Sequence, residues 1–198
     1  MTTPHIREAT LADEPDVARI CRLTGDAGGD ATGNFGDDTA LADVYATPYL
    51  HGPGCVALVV DVGGRAAGYV VAATDTRAFQ EWFTEQWWPG RAALHPRRTS
   101  ADEWLLASAR DPQRCLNSAV DAYPAHLHID LLPELQGAGW GRRLMDALRE
   151  RLAAAGVAGV HLVAERRNAG AQAFYPRVGF VVADSDAGVT WACPIPAS

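Results

Sequence analysis

The stretch Gln136-Gly137-Ala138-Gly139-Trp140-Gly141 decides how this chain is read. It follows an apolar run, Leu127 to Leu132 with Asp130 inside it, and precedes Leu144, Met145, Leu148 and Leu152, spaced as one face of a helix. A glycine-rich loop between a strand and a helix is a site for an anion. Its backbone N–H groups point outward, the helix dipole adds partial positive charge, and the missing side chains allow close approach. The spacing therefore predicts a grip on a phosphorylated cofactor. A dinucleotide fingerprint needs its third glycine one residue later than Gly141. A Walker loop needs a lysine, and the chain has none. Both of those readings fail.

Working outward, residues 5–9 read as a strand, and Asp13 or Asp16 is placed to cap a helix carrying Val17, Ile20 and Leu23 on one face. Residues 24–38 are rich in Gly, Asp, Thr and Asn and read as a loop, with a short helix over 39–46. Cys55–Val62 and Arg65–Ala73 read as strands joined at Gly63-Gly64. After the glycine loop a helix is expected over 139–155, a strand over 157–163, a helix over 169–178, and a closing hairpin of 180–183 with 188–194. The span 75–121 holds Phe79, Trp82, Phe83, Trp87, Trp88 and Trp104 with Arg91, Arg97 and Arg98. Such aromatic content argues against disorder. The helical spacing of Phe79, Trp82, Phe83 and Trp87 predicts one or two helices laid over the substrate side of the sheet, with one or two of the aromatics lining an acceptor cleft.

The spacing Q-x-x-G-x-G resembles the acetyl-coenzyme A loop of the GNAT family of N-acetyltransferases. Ile129 to Gly141 is similar, without gaps, to that family's fourth strand, pyrophosphate loop and third helix. Asn168, Ala171, Phe174, Tyr175, Gly179 and Phe180 resemble its closing helix and strand. More narrowly, Cys55–Pro89, Ile129–Pro133 and Phe174-Tyr175 resemble the acetyltransferase-like C-terminal domain of animal O-GlcNAc hydrolases. With no glycosidase region attached, that domain would stand alone here as a bacterial-type protein. The animal domain lacks the glycine loop that this chain keeps. The resemblance implies an α/β (α+β) GNAT fold: a mixed, mostly antiparallel sheet splayed between strands 4 and 5, flanked by helices, with 75–121 inserted between strands 3 and 4. It implies one domain over 1–198.

The same resemblance implies the chemistry. Backbone around Leu131 and Leu132 would bond the pantetheine of acetyl-CoA, and the N–H groups of Gln136, Gly137, Ala138, Gly139, Trp140 and Gly141 would take its pyrophosphate. Arg142, the first arginine of the helix, would help, with Arg143 the weaker choice. Asn168 caps the last helix or bonds the pantetheine. Tyr175 matches the tyrosine that protonates the departing thiolate. Asp130 matches an aspartate assigned a catalytic role in the hydrolase-like domain and is the expected general base, with His128 supporting it or standing in. His126, His128 and Asp130 alternate, so they share one face of their strand. No metal is expected. The implied activity is direct acetyl transfer to an amine, on a small molecule or a protein lysine. The alternative is a catalytically silent acetyl-CoA-binding or protein-interaction module.

Bulk properties bound the partners. At 198 residues and 48% hydrophobic, the chain can bury one good core. A net charge of −7 and a pI near 5.3 argue against nucleic acid or an anionic membrane as partner. Cys21, Cys55, Cys115 and Cys193 lie far apart, as reduced thiols do in a cytosolic protein, and no leader or membrane-length run is seen. A cytoplasmic location is expected, as monomer or homodimer.

Overall fold

A computed structural model describes residues 3–185 and 188–196. Its centre is a sheet of seven strands in the order β1-β2-β3-β4-β5-β7-β6. The strands are β1 (His5–Glu8), β2 (Cys55–Val62), β3 (Arg65–Ala73), β4 (Ala125–Leu131), β5 (Gly159–Ala164), β6 (Val181–Asp184) and β7 (Val189–Pro194). Every neighbouring pair is antiparallel except β4 with β5. That parallel pair is short: only Ala125 with Val160 and His126 with His161 are matched before the strands part. The mixed, splayed sheet expected from the resemblance is present.

The helices are α1 (Glu14–Thr24), α2 (Ala40–Tyr45), α3 (Thr76–Trp82), α4 (Trp88–Arg91), α5 (Ser100–Arg110), α6 (Trp140–Ala154) and α7 (Ala169–Arg177). Period decides which faces they bury. α6 puts Leu144, Met145, Leu148 and Leu152 wholly inside, and α1 buries Val17 and Ile20. Leu23 is only half-buried, and Cys21 takes the inner position beside Ile20. The expected capping of α1 by a carboxylate is corrected here. Asp13 occupies the position before the helix, yet its oxygens accept from Arg7 at 2.7 and 2.8 Å. Asp16 pairs with Arg65 at 2.5 Å and accepts from the Ala66 N–H. Both acids fasten α1 to the sheet, and Pro15 in the first turn starts the helix instead.

The insert is a nearly continuous helical rod. α3 is capped by the Asp75 carboxylate, accepting from the Arg77 and Ala78 N–H groups, and runs through a π turn, Phe83–Trp87, into α4. Phe79, Phe83, Trp87 and Trp88 are all buried, so these rings extend the core rather than line a cleft. Arg91, Arg97 and Arg98, which the sequence groups as a basic patch, are each spent on separate partners. Arg91 pairs with Asp43 and Glu14, Arg97 with Glu103, and Arg98 donates to the Gly36 carbonyl. α5 then packs Leu105, Leu106 and Ala109 inward and leaves Trp104 60% exposed. No helix among the described residues is long and apolar enough to cross a membrane.

Candidate active site

The site begins with hydrogen-bond parity along β4. Its register against β3 sets Tyr69 opposite Asp130, Val71 opposite His128 and Ala73 opposite His126, and the Leu132 N–H donates to the Ala67 carbonyl at 3.0 Å. Even-numbered residues of β4 therefore spend their backbone groups on β3, and odd-numbered ones face β5. Because β5 departs after His126, the backbone edge at Ile129 and Leu131 is left open among the described residues. Of its groups, the Leu131 carbonyl accepts from the Gln136 side chain at 2.9 Å. Leu132, expected beside Leu131 as a pantetheine contact, has both backbone groups in use, since its carbonyl accepts from Leu135 at 2.9 Å.

Where β4 and β5 part lies a cavity of about 970 Å³, and His126, His128, Asp130, Asn168 and Tyr175 line it. Asp130 accepts a hydrogen bond from the Tyr69 hydroxyl at 2.5 Å. Burial pushes its carboxyl up to about 6, against the opposing pull of the Tyr69 hydrogen bond and of the nearby Thr24 hydroxyl. His128 stands edge-on to the rings of Tyr45 and Tyr49 at 5.8 and 5.4 Å. Burial, and then the charge of Arg114, push it down to about 3, so it is a neutral imidazole. His126 is spent on structure: its Nε2 meets the Tyr49 hydroxyl at 2.6 Å and its Nδ1 the Thr76 hydroxyl at 2.9 Å. The alternating trio thus shares one face and divides into a base-like carboxyl, a neutral ring and a buried strut.

Tyr175 comes from α7, whose first turn is capped by the Asn168 side chain accepting from the Ala171 N–H at 2.9 Å. Its ring packs among Phe174, Phe180 and Trp191. Burial, and then the charge of Asp130, raise the hydroxyl above the ordinary phenol range and hold its proton on.

The glycine loop lies outside the cavity lining, past the open end of β4. Gly137 and Gly139 take left-handed backbone, with φ of 72° and 83°, and nothing lies near where their side chains would be. The N–H groups from Gly137 to Arg142 have no backbone partner among the described residues. Gly141 differs, since a Cβ there would come within 3.1 Å of the Phe174 ring. Arg142 donates to the Arg177 carbonyl at 2.7 Å, closing the end of α7, and Arg143 stacks on Trp140 at 4.7 Å. Sequence reasoning missed Tyr69, Thr24 and Arg114. Tyr69 carried a signal, as the one polar side chain in the run Ala66 to Ala73. Of the insert aromatics, Trp104 lines the cavity, beside Ser108 on the same helix.

Comparison with known proteins agrees with this geometry. The acetyltransferase (GNAT) domain family matches residues 109–182. The crystal structure of SsHAT is 37% identical, with a TM-score of 0.91 over 98% of this chain and 100% of that one. The chain belongs to the GNAT acetyltransferase family. More distant members share the fold. The PaiA N-acetyltransferase of Thermoplasma acidophilum, solved with coenzyme A, is 13% identical at TM-score 0.61, over 98% of this chain and 99% of that one. The phosphinothricin acetyltransferase of Sinorhizobium meliloti, solved with AcCoA, is 16% identical at TM-score 0.54, over 98% of this chain and 89% of that one. The similarity to SsHAT runs through both motifs and the insert.

Proposed function

We propose that the protein is an acetyl-CoA-dependent N-acetyltransferase acting on an amine held in the cavity between β4 and β5. The observation that carries this reading is that Asp130 and Tyr175 line the same cavity, one a carboxyl poised near 6 and the other a phenol that keeps its proton. The chain also suits the cofactor. Unpartnered N–H groups from Gly137 to Arg142 at a helix start fit a pyrophosphate, and the open edge at Ile129 and Leu131 fits an extended arm bearing amides. Engaging the Leu131 carbonyl would require Gln136 to release it. Freed from Arg177, Arg142 would reach the same anion, and Asn168 holds α7 so that Tyr175 meets the cavity. Bound there, acetyl-CoA supplies an activated thioester.

The residues divide the proton traffic. Above about pH 6 Asp130 is ionised and can take the proton of an incoming ammonium. His128, neutral at any physiological pH, can support the amine by accepting a hydrogen bond but is too weak a base to hold its proton. Tyr175 gives its proton to the departing thiolate. Cys21 and Cys115 also line the cavity, but burial raises both thiols, so neither is a ready nucleophile. That supports direct attack by the amine over an acyl-enzyme route. The acceptor is a small-molecule amine or a protein lysine, and the acidic chain and unpaired cysteines suit the cytoplasm.

Calorimetric titration with acetyl-CoA, beside thiol release over a panel of amines and lysine peptides, tests the reading. Amine-dependent release that falls about 10²–10⁴-fold in Asp130→Asn and in Tyr175→Phe, with cofactor binding retained, is expected. Binding with no release on any acceptor would favour the silent module. No binding at all would overturn the assignment of the glycine loop.

A further inference from the structure

Asp130 is held from behind by a residue that no motif marks. Tyr69 sits directly across the ladder, so the two side chains leave the same face of the sheet. Tyr69 is fully buried, and a buried hydroxyl must find a partner. Its single proton goes to Asp130 Oδ2. Thr24 also stands on this carboxyl, but its hydroxyl already donates to the Ile20 carbonyl at 2.7 Å. The phenol is therefore the donor with no other acceptor. The buried Cys21 thiol lies beside the same hydroxyl.

We propose that Tyr69 is a positioning residue for the acetyl-transfer reaction, pinning one oxygen of Asp130 so that the carboxylate faces the cavity and stays a proton acceptor. This rests on the reading of Asp130 as general base. Without the phenol the opposing pull on Asp130 weakens, and burial raises its carboxyl further.

The test is a carboxyl-carbon NMR titration of aspartate-labelled protein, with Asp130→Asn identifying the resonance, run on the native protein and on Tyr69→Phe. Loss of a charge-assisted hydrogen bond should move the Asp130 midpoint up by about one to two pH units. The acid limb of kcat should move with it, while the KM for acetyl-CoA stays put. An unmoved midpoint overturns the proposal. If the acid limb persists in Asp130→Asn, the base assignment itself fails. If the limb disappears in Asp130→Asn but is not displaced in Tyr69→Phe, only the role of Tyr69 fails. Should Tyr69→Phe not fold, the Tyr69 hydroxyl proton of the native protein serves instead. It should resonate far downfield and shift as Asp130 titrates, and a signal indifferent to that titration overturns the proposal.

Discussion

At Asp130, the proposed role as general base and stability pull in opposite directions. Its carboxyl is raised from 3.8 to about 6 by burial, so the folded chain holds that proton more tightly than the unfolded chain. Stability is then fullest below the lower value and declines as pH rises through the window between them. Asp130→Asn abolishes that decline and leaves an amide oxygen to accept from Tyr69. The variant should be nearly inactive yet more stable than the native protein at pH 7, by up to about 3 kcal/mol, with the gap closing by pH 4. Thermal melts at the two pH values would check this, and a less stable variant at pH 7 would contradict it. The alternation of His126, His128 and Asp130 was legible from sequence because a strand has period two. Their separate roles were not, since those depend on Tyr49, Thr76 and Tyr69, which lie tens of residues away in the chain.

Among the elements, the glycine loop and α6 were readable because they rest on local rules: left-handed backbone, a dipole and a helical stripe. The glycines nonetheless serve different ends. Gly137→Ala meets no neighbour and incurs only left-handed strain, about 1 kcal/mol. It should weaken acetyl-CoA binding and barely move the melting temperature. Gly141→Ala drives a methyl group against Phe174, the ring next to Tyr175, and should cost about 1–3 kcal/mol of stability. Calorimetry and melting curves on the pair should separate the two effects, and equal losses in both variants would refute the distinction. The insert was harder to read. Helical spacing from Phe79 to Trp87 gave its secondary structure, but which rings face the core is a long-range fact. Spacing alone left buried Phe83 and exposed Trp104 alike.

Taken whole, the molecule has the insert built into its centre. Phe83 is fully buried and packs beside Phe79 and Trp88 within the cluster that also holds β3 and α6 residues. Phe83→Ala should cost about 3–5 kcal/mol, as a cavity in any core does. Chemical unfolding followed by tryptophan fluorescence and by far-ultraviolet circular dichroism should give coincident transitions, because four of the six tryptophans belong to the insert. Separate transitions would show the insert to be an independent unit.

α5 lends this architecture freedom to change. Leu105, Leu106 and Ala109 anchor it, and Asp102 at its start accepts from the backbone of Gly36, Arg98 and Thr99, whereas Trp104 and Ser108 look into the chamber. Ser108 also meets the Tyr45 hydroxyl at 3.2 Å, so it answers to the scaffold as well as to the chamber. On the proposed reading, changes at 104 can therefore retune substrate preference without first repairing the scaffold.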